Sequence, residues 1–356
     1  MANILDYVYW RGDLSFEQDK FNILDNLIFS EMVYLDYGGV VPDFPHHRKL
    51  LFKHVIQKVF EEHEKDKIVL GLILPRMIIE LVDKAAQSNR FGNVHVSNYV
   101  NIIDKETKTQ FAAITYHISN DIIYVCYRGT DDSLIGWQEN IDMLYTAPVG
   151  SQVKAVEYLE KIASLYPEAK IYLGGHSKGG NLANYAAIYC NDSVKERIIH
   201  CYSNDGQGMD KNFVDLEKFE AIKDKIIRII PELDVVGMMF DAFAGKTYIV
   251  KSTAKGIYQH DGFSWQIDVN KFKEAPKGLS PKALKLDRQL TKMIKEVPME
   301  DKVTLGNNLY DFIQASQLDT LLDCKKESIK LLKYLNKFSG KSKQLFLQVF
   351  GDFLFL

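Results

Sequence analysis

The stretch KIYLGGHSKGGNLA, residues 170–183, decides the fold of this chain. It contains the pattern Gly-x-Ser-x-Gly as Gly175, Ser177 and Gly179, directly after an apolar strand and directly before a helical run. A serine held on a tight strand-to-helix turn needs glycines two residues before and two residues after it, because a Cβ there would collide with the turn. The pattern predicts a nucleophilic Ser177 and favours it over a purely structural glycine-rich turn.

A phosphate-binding loop is the competing strand-to-helix turn rich in Gly, Ser and Lys. That loop requires Lys and then Ser or Thr after its second glycine. Here Ser177 and Lys178 precede Gly179, so the pattern does not fit a loop of that type.

The sequence on both sides of the motif predicts the architecture. Strand-like stretches at about 94–104, 110–118 and 122–128 are separated by short polar turns, which indicates an antiparallel start to the sheet. After residue 150 helical and strand patterns alternate, which is typical of parallel strands joined by crossover helices. We predict an α/β fold of the α/β-hydrolase type, with a mostly parallel central sheet, antiparallel N-terminal strands, and helical additions at both ends.

The predicted domain organisation is one catalytic domain over residues 1–275, helical to about residue 90, followed by a helical appendage over residues 276–356. Helical tracts are expected at about 21–35, at 46–63 and after residue 75, and in the appendage at 281–295 and 305–335. The appendage ends in an aromatic, apolar tail at 344–356. Packing on the core is the favoured interpretation of this tail, and contact with a membrane surface or a second copy of the chain is the alternative.

The composition of the chain argues against some classes of binding partner and indicates the cellular compartment. A formal net charge of −3 over 356 residues gives no electrostatic reason to expect nucleic acid. Charged residues interrupt the N-terminal region where a secretory signal needs an apolar run, and four scattered cysteines suit reduced thiols. No metal site is expected at His46-His47, because adjacent helical residues point about 100° apart. We expect a soluble, cytoplasmic protein.

A second group of candidate site residues precedes the serine motif. The stretch Tyr127-Arg128-Gly129-Thr130 closes a predicted strand and places a glycine and a hydroxyl at the carboxyl edge of the sheet, where Ser177 should also emerge. A tetrahedral intermediate needs at least two donors fixed in advance on its oxyanion. The backbone amide of Lys178, with the amide and hydroxyl of Thr130, could supply them.

Together these motifs resemble the class 3 lipase family of α/β-hydrolases. The resemblance rests on Tyr-Arg-Gly-Thr, a tryptophan seven residues after Thr130, Pro-Val-Gly opening a helix, and Gly-His-Ser-x-Gly-Gly-x-Leu-Ala, and it runs from about residue 94 to residue 268. The version with Gly-His-Ser-Lys-Gly-Gly is similar to a bacterial branch of that family. The resemblance implies a Ser, Asp and His triad with Thr130 and Lys178 in the oxyanion hole. Secreted members usually carry Leu in place of Lys178.

The order of residues along the chain limits the candidates for the general base, because this fold places its acid and then its histidine after the serine. Only His200 and His260 follow Ser177. His200 falls inside a predicted strand, whereas His260 follows the last predicted strand in a loop that can reach Ser177, so His260 is the predicted base.

Two aspartates compete for the acid. Asp234 follows an apolar strand and resembles the Asp-x-Val segment that carries the acid in class 3 lipases, and it is the preferred candidate. Asp205 ends the preceding predicted strand in Asn-Asp-Gly and is the alternative, with a local turn-capping role as its other interpretation.

These residues predict a serine hydrolase that cleaves a carboxylic ester or thioester through an acyl-enzyme on Ser177. No metal or organic cofactor is required. A small-molecule or lipid ester is the expected substrate, and the Lys178 side chain is expected either in the pocket, where it would favour an anionic substrate, or solvated at the surface. The alternatives are an inactive binding module on the same fold and a peptidase or acyltransferase using the same triad.

Overall fold

The centre of the protein is an eight-stranded sheet whose strands follow one another in chain order. The computed structural model describes residues 1–234, 236–285, 288, 296–327 and 340. The strands are β1 (Leu50–Leu51), β2 (His95–Asp104), β3 (Thr109–His117), β4 (Ile122–Tyr127), β5 (Lys170–His176), β6 (Ile198–Asn204), β7 (Ile226–Pro231) and β8 (Lys246–Val250). Two further short strands, β9 (Ile267–Asp268) and β10 (Lys271–Phe272), form a separate ribbon.

The type of strand pairing changes once across this sheet. Strands β1 to β4 pair antiparallel, and β4 to β8 pair parallel. The predicted mostly parallel sheet with an antiparallel N-terminal part is therefore confirmed.

Helices cover both faces of the sheet. They are α1 (Ile4–Arg11), α2 (Ile23–Met32), α3 (Phe52–Glu62), α4 (Met77–Gln87), α5 (Asn89–Gly92), α6 (Leu134–Asp142), α7 (Gly150–Leu165), α8 (Lys178–Tyr189), α9 (Asp192–Arg197) and α10 (Leu216–Glu220). Among the described residues further along the chain, helices lie at Met299–Ser316 and Leu321–Lys326. Short 3-10 turns lie at Lys65–Lys67, Lys211–Phe213, Lys223–Lys225, Gly256–His260 and Gly262–Ser264.

The sequential strand order explains this arrangement. Right-handed crossovers between strands added in one direction all place their helices on the same face of a sheet. Helices α7 and α8 accordingly pack on the face that carries Val125 and Leu173. The other face, which carries Tyr124 and Cys126, is covered by the N-terminal helices α1 to α4.

Helix α2 is buried almost all round, and several of its polar side chains have hydrogen-bond partners inside the protein. Asp25 forms an ion pair with Arg90 at 2.6 Å, with both side chains fully buried. Asn26 donates to the side chain of Asn204 at the end of β6, at 2.8 Å. A Cβ at Gly174 of β5 would collide with Tyr124 and lie 2.7 Å from the Asn26 side-chain oxygen, so this glycine allows α2 to approach the sheet closely.

The local predictions differ from the structure in the N-terminal region. The tract predicted as a helix over 46–63 begins instead with β1, and α3 starts at Phe52. Leu50 and Leu51 pair with His95 and Val96 at the edge of β2, a long-range contact that helical periodicity cannot reveal.

The C-terminal helices also differ from the prediction. The helix expected over 305–335 ends at Ser316, because Gln317 adopts a left-handed conformation with φ 58°. Most of the helix predicted at 281–295 and the whole apolar tail lie outside the described residues. The division of the chain at residue 276 stays a prediction.

The described C-terminal residues pack against α6. Leu309 and Phe312 of the helix Met299–Ser316 join a buried cluster with Leu134 and Ile141 of α6. The segment that follows hydrogen-bonds to the chain just before α6, where the Leu134 amide donates to the carbonyl of Asp319 at 2.8 Å. Within the part of the chain that the structure describes, no helix is both long and apolar enough to cross a membrane.

Candidate active site

Ser177 lies in the sharp turn between β5 and α8. Its backbone has φ 56° and ψ −131°, a strained conformation for a residue with a side chain. A Cβ at Gly175 would collide with the backbone of Gly179, and a Cβ at Gly179 would collide with the carbonyl of Tyr127. The two glycines are therefore required by the turn, as the sequence pattern predicts. Ser177 is half-buried, whereas both of its neighbours are buried.

The segment after β4 lies directly against the serine. A Cβ built at Gly129 would lie 2.5 Å from the carbonyl oxygen of His176 and 3.2 Å from the Cβ of Ser177, so only glycine permits this approach. The next residue, Thr130, is 6% exposed, and its hydroxyl oxygen accepts a hydrogen bond from Asn140 of α6 at 2.8 Å. The hydroxyl proton of Thr130 remains available to a further acceptor. The contact between Asn140 and Thr130 depends on the position of α6 and has no signal in the sequence.

Lys178 follows Ser177 directly, and its side chain is paired inside the protein. The side chain is fully buried, and its Nζ donates to Glu139 Oε2 at 2.8 Å and to the carbonyl of Gln110 at 2.9 Å. Both predicted positions for this lysine, in the pocket and in solvent, are wrong. Its backbone amide stands in the first turn of α8, where amides have no carbonyl partner within the helix.

His260 ends the 3-10 turn Gly256–His260 and contacts the residue before Ser177. Its ring centroid lies 4.5 Å from that of His176, and its carbonyl accepts from His176 Nε2 at 2.8 Å. The preceding carbonyl, of Gln259, accepts from Trp265 Nε1 at 2.8 Å. These bonds fix the loop that carries the predicted base. His200, the other candidate base, lies opposite Tyr172 of β5. The β6 residue opposite His176, at the edge near Ser177, is Asn204.

The carboxylate in contact with His260 is Asp205, the alternative acid, and not the preferred Asp234. The Nδ1–H of His260 donates to Asp205 Oδ2 at 2.6 Å. Asp205 follows β6 directly, in the left-handed region at φ 46°, and its amide donates to the carbonyl of Ile229. Asp234 lies behind it, where its side chain accepts from the Gly237 amide at 2.7 Å and from Arg228 at 3.2 Å.

Burial shifts the pKa of both members of this pair. It raises the pKa of Asp205 to about 6 and lowers the pKa of His260 to about 4. A carboxylate can only accept, so Nδ1 of His260 carries the proton in the 2.6 Å bond. In the neutral ring, Nε2 is therefore an unprotonated base.

Helix α2 and the residues after it supply groups below the serine turn that the sequence analysis missed. The Nε2 of His176 must carry a proton because its partner is a carbonyl, so Nδ1 accepts from the Tyr34 hydroxyl at 3.3 Å. Burial keeps the pKa of His176 well below its ordinary value. Glu31 lies 3.9 Å from the same nitrogen, and burial raises the pKa of its carboxyl well above the usual range. In the sequence, the sign of this pair is the spacing of residues 31 and 34, which places them on one face of a helix.

The fold and the serine turn define the class of this protein as an α/β-hydrolase. The sequence model of the Mbeg1-like family matches residues 85–311, and the chain belongs to that family. The match spans the serine turn, both aspartates and His260.

Solved structures with a similar chain path include lipases. The native propeptide complex of Rhizomucor miehei lipase is 15% identical, covers 61% of this chain and 75% of its own, and has a TM-score of 0.34. A mutant of MDLA from Penicillium cyclopium is 11% identical, with coverages of 73% and 87% and a TM-score of 0.39. For M37 lipase the identity is 18%, the coverages are 60% and 68%, and the TM-score is 0.36. No curated protein sequence matches the chain.

Proposed function

We propose that this protein is a serine hydrolase that cleaves a carboxylic ester or thioester through an acyl-enzyme on Ser177. The observation that carries the proposal is a strained, half-buried serine directly after His176, whose ring contacts a histidine with its Nδ1–H held by a buried carboxylate at 2.6 Å. A structural turn has no need of a strained serine or of a buried His–Asp pair.

In the proposed reaction Ser177 Oγ attacks the carbonyl carbon of the substrate while its proton passes to Nε2 of His260. Asp205 holds the ring in the required tautomer and stabilises the imidazolium that forms. The amides of Lys178 and Thr130 and the Thr130 hydroxyl donate to the oxyanion. His260 then returns the proton to the leaving group. A water molecule repeats the sequence on the acyl-enzyme and releases the acid.

The charges around the serine support an uncharged acyl group as substrate. Lys178 is neutralised by Glu139, and Arg128 donates to Asp131 at 2.6 Å and to the side chain of Asn101 at 2.9 Å. Both cations nearest the predicted oxyanion hole in the sequence are therefore committed to partners inside the protein.

We also propose a cytoplasmic location. Cys126, Cys190, Cys201 and Cys324 are all buried and unpaired, as is usual where thiols are kept reduced.

Hydrolysis of p-nitrophenyl butyrate and labelling by a fluorophosphonate probe test the proposed chemistry. The wild type is expected to show both activities, and Ser177→Ala is expected to lose both, with kcat falling by about four to six powers of ten. Ser193→Ala, on the exposed start of α9, is the matched control and should leave both unchanged.

The outcomes separate the alternatives. A wild-type protein that neither hydrolyses the ester nor takes up the probe would be an inactive binding module on this fold. Labelling without ester hydrolysis would indicate a peptidase or an acyltransferase that requires another acceptor.

A further inference from the structure

The two aspartates near His260 converge on one backbone group. The amide of Gly237 donates to Asp234 Oδ1 at 2.7 Å and to Asp205 Oδ1 at 3.2 Å. A Cβ at Gly237 would lie 2.6 Å from an oxygen of Asp234 and 2.7 Å from an oxygen of Asp205. Both residues are 0% exposed, so the two carboxyl groups share this one N–H inside the protein. They form a buried carboxyl pair behind the histidine.

A hydrogen bond between two carboxyl groups requires that one of them keeps its proton. Two carboxylates in contact inside a protein cannot both ionise at neutral pH, because burial and mutual repulsion oppose the second charge. Asp205 accepts from His260 Nδ1–H at 2.6 Å and must present an unprotonated oxygen there. The proton of the pair therefore belongs on Asp234.

The cation beside the pair, Arg228, lowers the pKa of both carboxyl groups, and its single positive charge balances one carboxylate and not two. Arg228 of β7 contacts Asp234 at 3.2 Å and also donates to the Gly237 carbonyl at 2.7 Å. Asp261 adds a second negative group near His260. Burial, followed by the charge of Asp205, raises the pKa of Asp234 well above its usual range, whereas that of Asp205 rises only to about 6.

We infer that Asp234 is a positioning residue that stays protonated at neutral pH and donates a hydrogen bond to Asp205, which in turn holds His260. This inference rests on the proposed function for its catalytic consequence. Asp205 then accepts from three directions, namely the His260 ring, the Gly237 amide and the Asp234 carboxyl. Its orientation is fixed, and the pair carries a single negative charge toward the imidazolium that forms during acyl transfer.

Asparagine at position 234 distinguishes this role from the role of the direct acid. Its amide can donate to Asp205 as the carboxylic acid does, but it cannot ionise. We expect Asp234→Asn to keep kcat/KM for p-nitrophenyl butyrate within about tenfold of the wild type, because the donor is retained. Asp205→Asn should lower kcat about 10⁴-fold, because it selects the wrong tautomer of the histidine. Asp234→Leu, which cannot donate, should lie between them.

The pH profile supplies a measurement that a merely structural role would not change. In the wild type, kcat/KM should fall at alkaline pH as Asp234 loses its proton and repels Asp205. In Asp234→Asn this alkaline decrease should be absent. An unchanged alkaline decrease in Asp234→Asn, or wild-type activity in Asp234→Leu, would contradict the inference. A loss in Asp234→Asn as large as in Asp205→Asn would make Asp234 the direct acid.

A second readout is independent of catalysis. In protein labelled with ¹⁵N-histidine, the Nδ1–H of His260 should give a far-downfield imidazole proton signal. The signal should persist in Asp234→Asn and in Ser177→Ala, and it should disappear in Asp205→Asn. This signal tests the carboxyl pair even if the wild type does not hydrolyse the ester. Loss of the signal in Asp234→Asn, or its persistence in Asp205→Asn, would contradict the inference about Asp234 and leave the proposed function untouched.

Discussion

At the residue scale, the pH dependence of the proposed reaction should be set by Asp205 and His260 as one unit. Burial raises the pKa of Asp205 to about 6 and lowers that of His260 to about 4, so the first proton taken up on acidification goes to the carboxylate. A protonated Asp205 no longer stabilises the imidazolium. We expect kcat/KM to fall about tenfold per pH unit below about pH 6.

The comparison that checks this prediction is the pH profile of Asp205→Asn. The remaining activity of Asp205→Asn should decrease at a lower pH than that of the wild type, toward the pKa of about 4 of His260. The reason is that the carboxylate of Asp205, which takes up the first proton in the wild type, is absent. A wild-type limb centred at 4 or below would contradict the assignment.

The serine turn and the histidine that lies near it were predictable from the sequence, and the carboxylate in contact with that histidine was not. Ser177 is marked by glycines that the turn itself demands, and His260 is the one later histidine that follows the strands. Asp205 and Asp234 each end a neighbouring strand, so chain order cannot separate them. The left-handed backbone of Asp205, at φ 46°, aims its carboxylate at the ring, and local sequence does not encode that geometry unambiguously.

At the scale of elements, the buried pair between Lys178 of α8 and Glu139 of α6 should be a major stabilising link. Lys178→Met would leave the carboxylate of Glu139 buried without its cation, which typically costs about 3–5 kcal/mol in the free energy of unfolding. The double variant Lys178→Met/Glu139→Gln should recover part of that loss, because no unpaired charge remains. Urea unfolding measures both variants.

The exposed pair Lys58–Glu62 of α3 provides the control for this prediction. Lys58→Met should change the free energy of unfolding by less than about 1 kcal/mol, as is usual for exposed ion pairs. Equal losses in the free energy of unfolding of Lys58→Met and Lys178→Met would show that the buried ion pair stabilises the protein no more than the exposed one.

The helix Met299–Ser316 should affect the site through α6. Phe312 is 2% exposed in the cluster that this helix shares with α6, and truncation of a buried phenylalanine typically costs about 3–5 kcal/mol. Because Asn140 of α6 holds the Thr130 hydroxyl, we expect Phe312→Ala to lower both stability and kcat/KM. Asp311→Ala, at an exposed neighbouring position, should change neither. Lower stability with unchanged kcat/KM would limit the helix to a structural role.

Elements with a strong local pattern were predictable, and those that depend on distant partners were not. The regular alternation after residue 150 predicted β5, α8 and β6 within a few residues. Strand β1 exists because Leu50 and Leu51 meet the edge of β2, and the partner of Lys178 lies 39 residues away in the chain. Neither contact leaves a periodic signal in the sequence.

At the scale of the whole molecule, a buried histidine outside the site should couple folding to pH. His117 of β3 shares a hydrogen bond of 2.8 Å with Ser97, and burial lowers its pKa from 6.5 to about 3. The folded state thus binds fewer protons than the unfolded state between these values, so this histidine costs stability as the pH falls. The effect is up to about 1.4 kcal/mol per pH unit.

The difference in free energy of unfolding between the wild type and His117→Gln isolates this effect from the other buried groups. Relative to the variant, the wild type should lose stability as the pH is lowered from 6.5, and the two should keep a constant difference above pH 7.5. His54→Gln, on the exposed side of α3, should show no such pH-dependent difference. A constant difference across the whole range would mean that His117 is not held neutral.

The N-terminal residues are joined directly to the loop that carries His260. The side chain of Asn3 donates to the carbonyl of Phe263, 260 positions later, at 3.0 Å, and the amide of Ile267 donates to the carbonyl of Ala2. A chain still emerging from the ribosome therefore has its serine turn long before this loop can be tied down. On the proposed mechanism, a product that ends before His260 stays inert toward the esters around it, and hydrolytic activity arises only after the chain has been made beyond this loop.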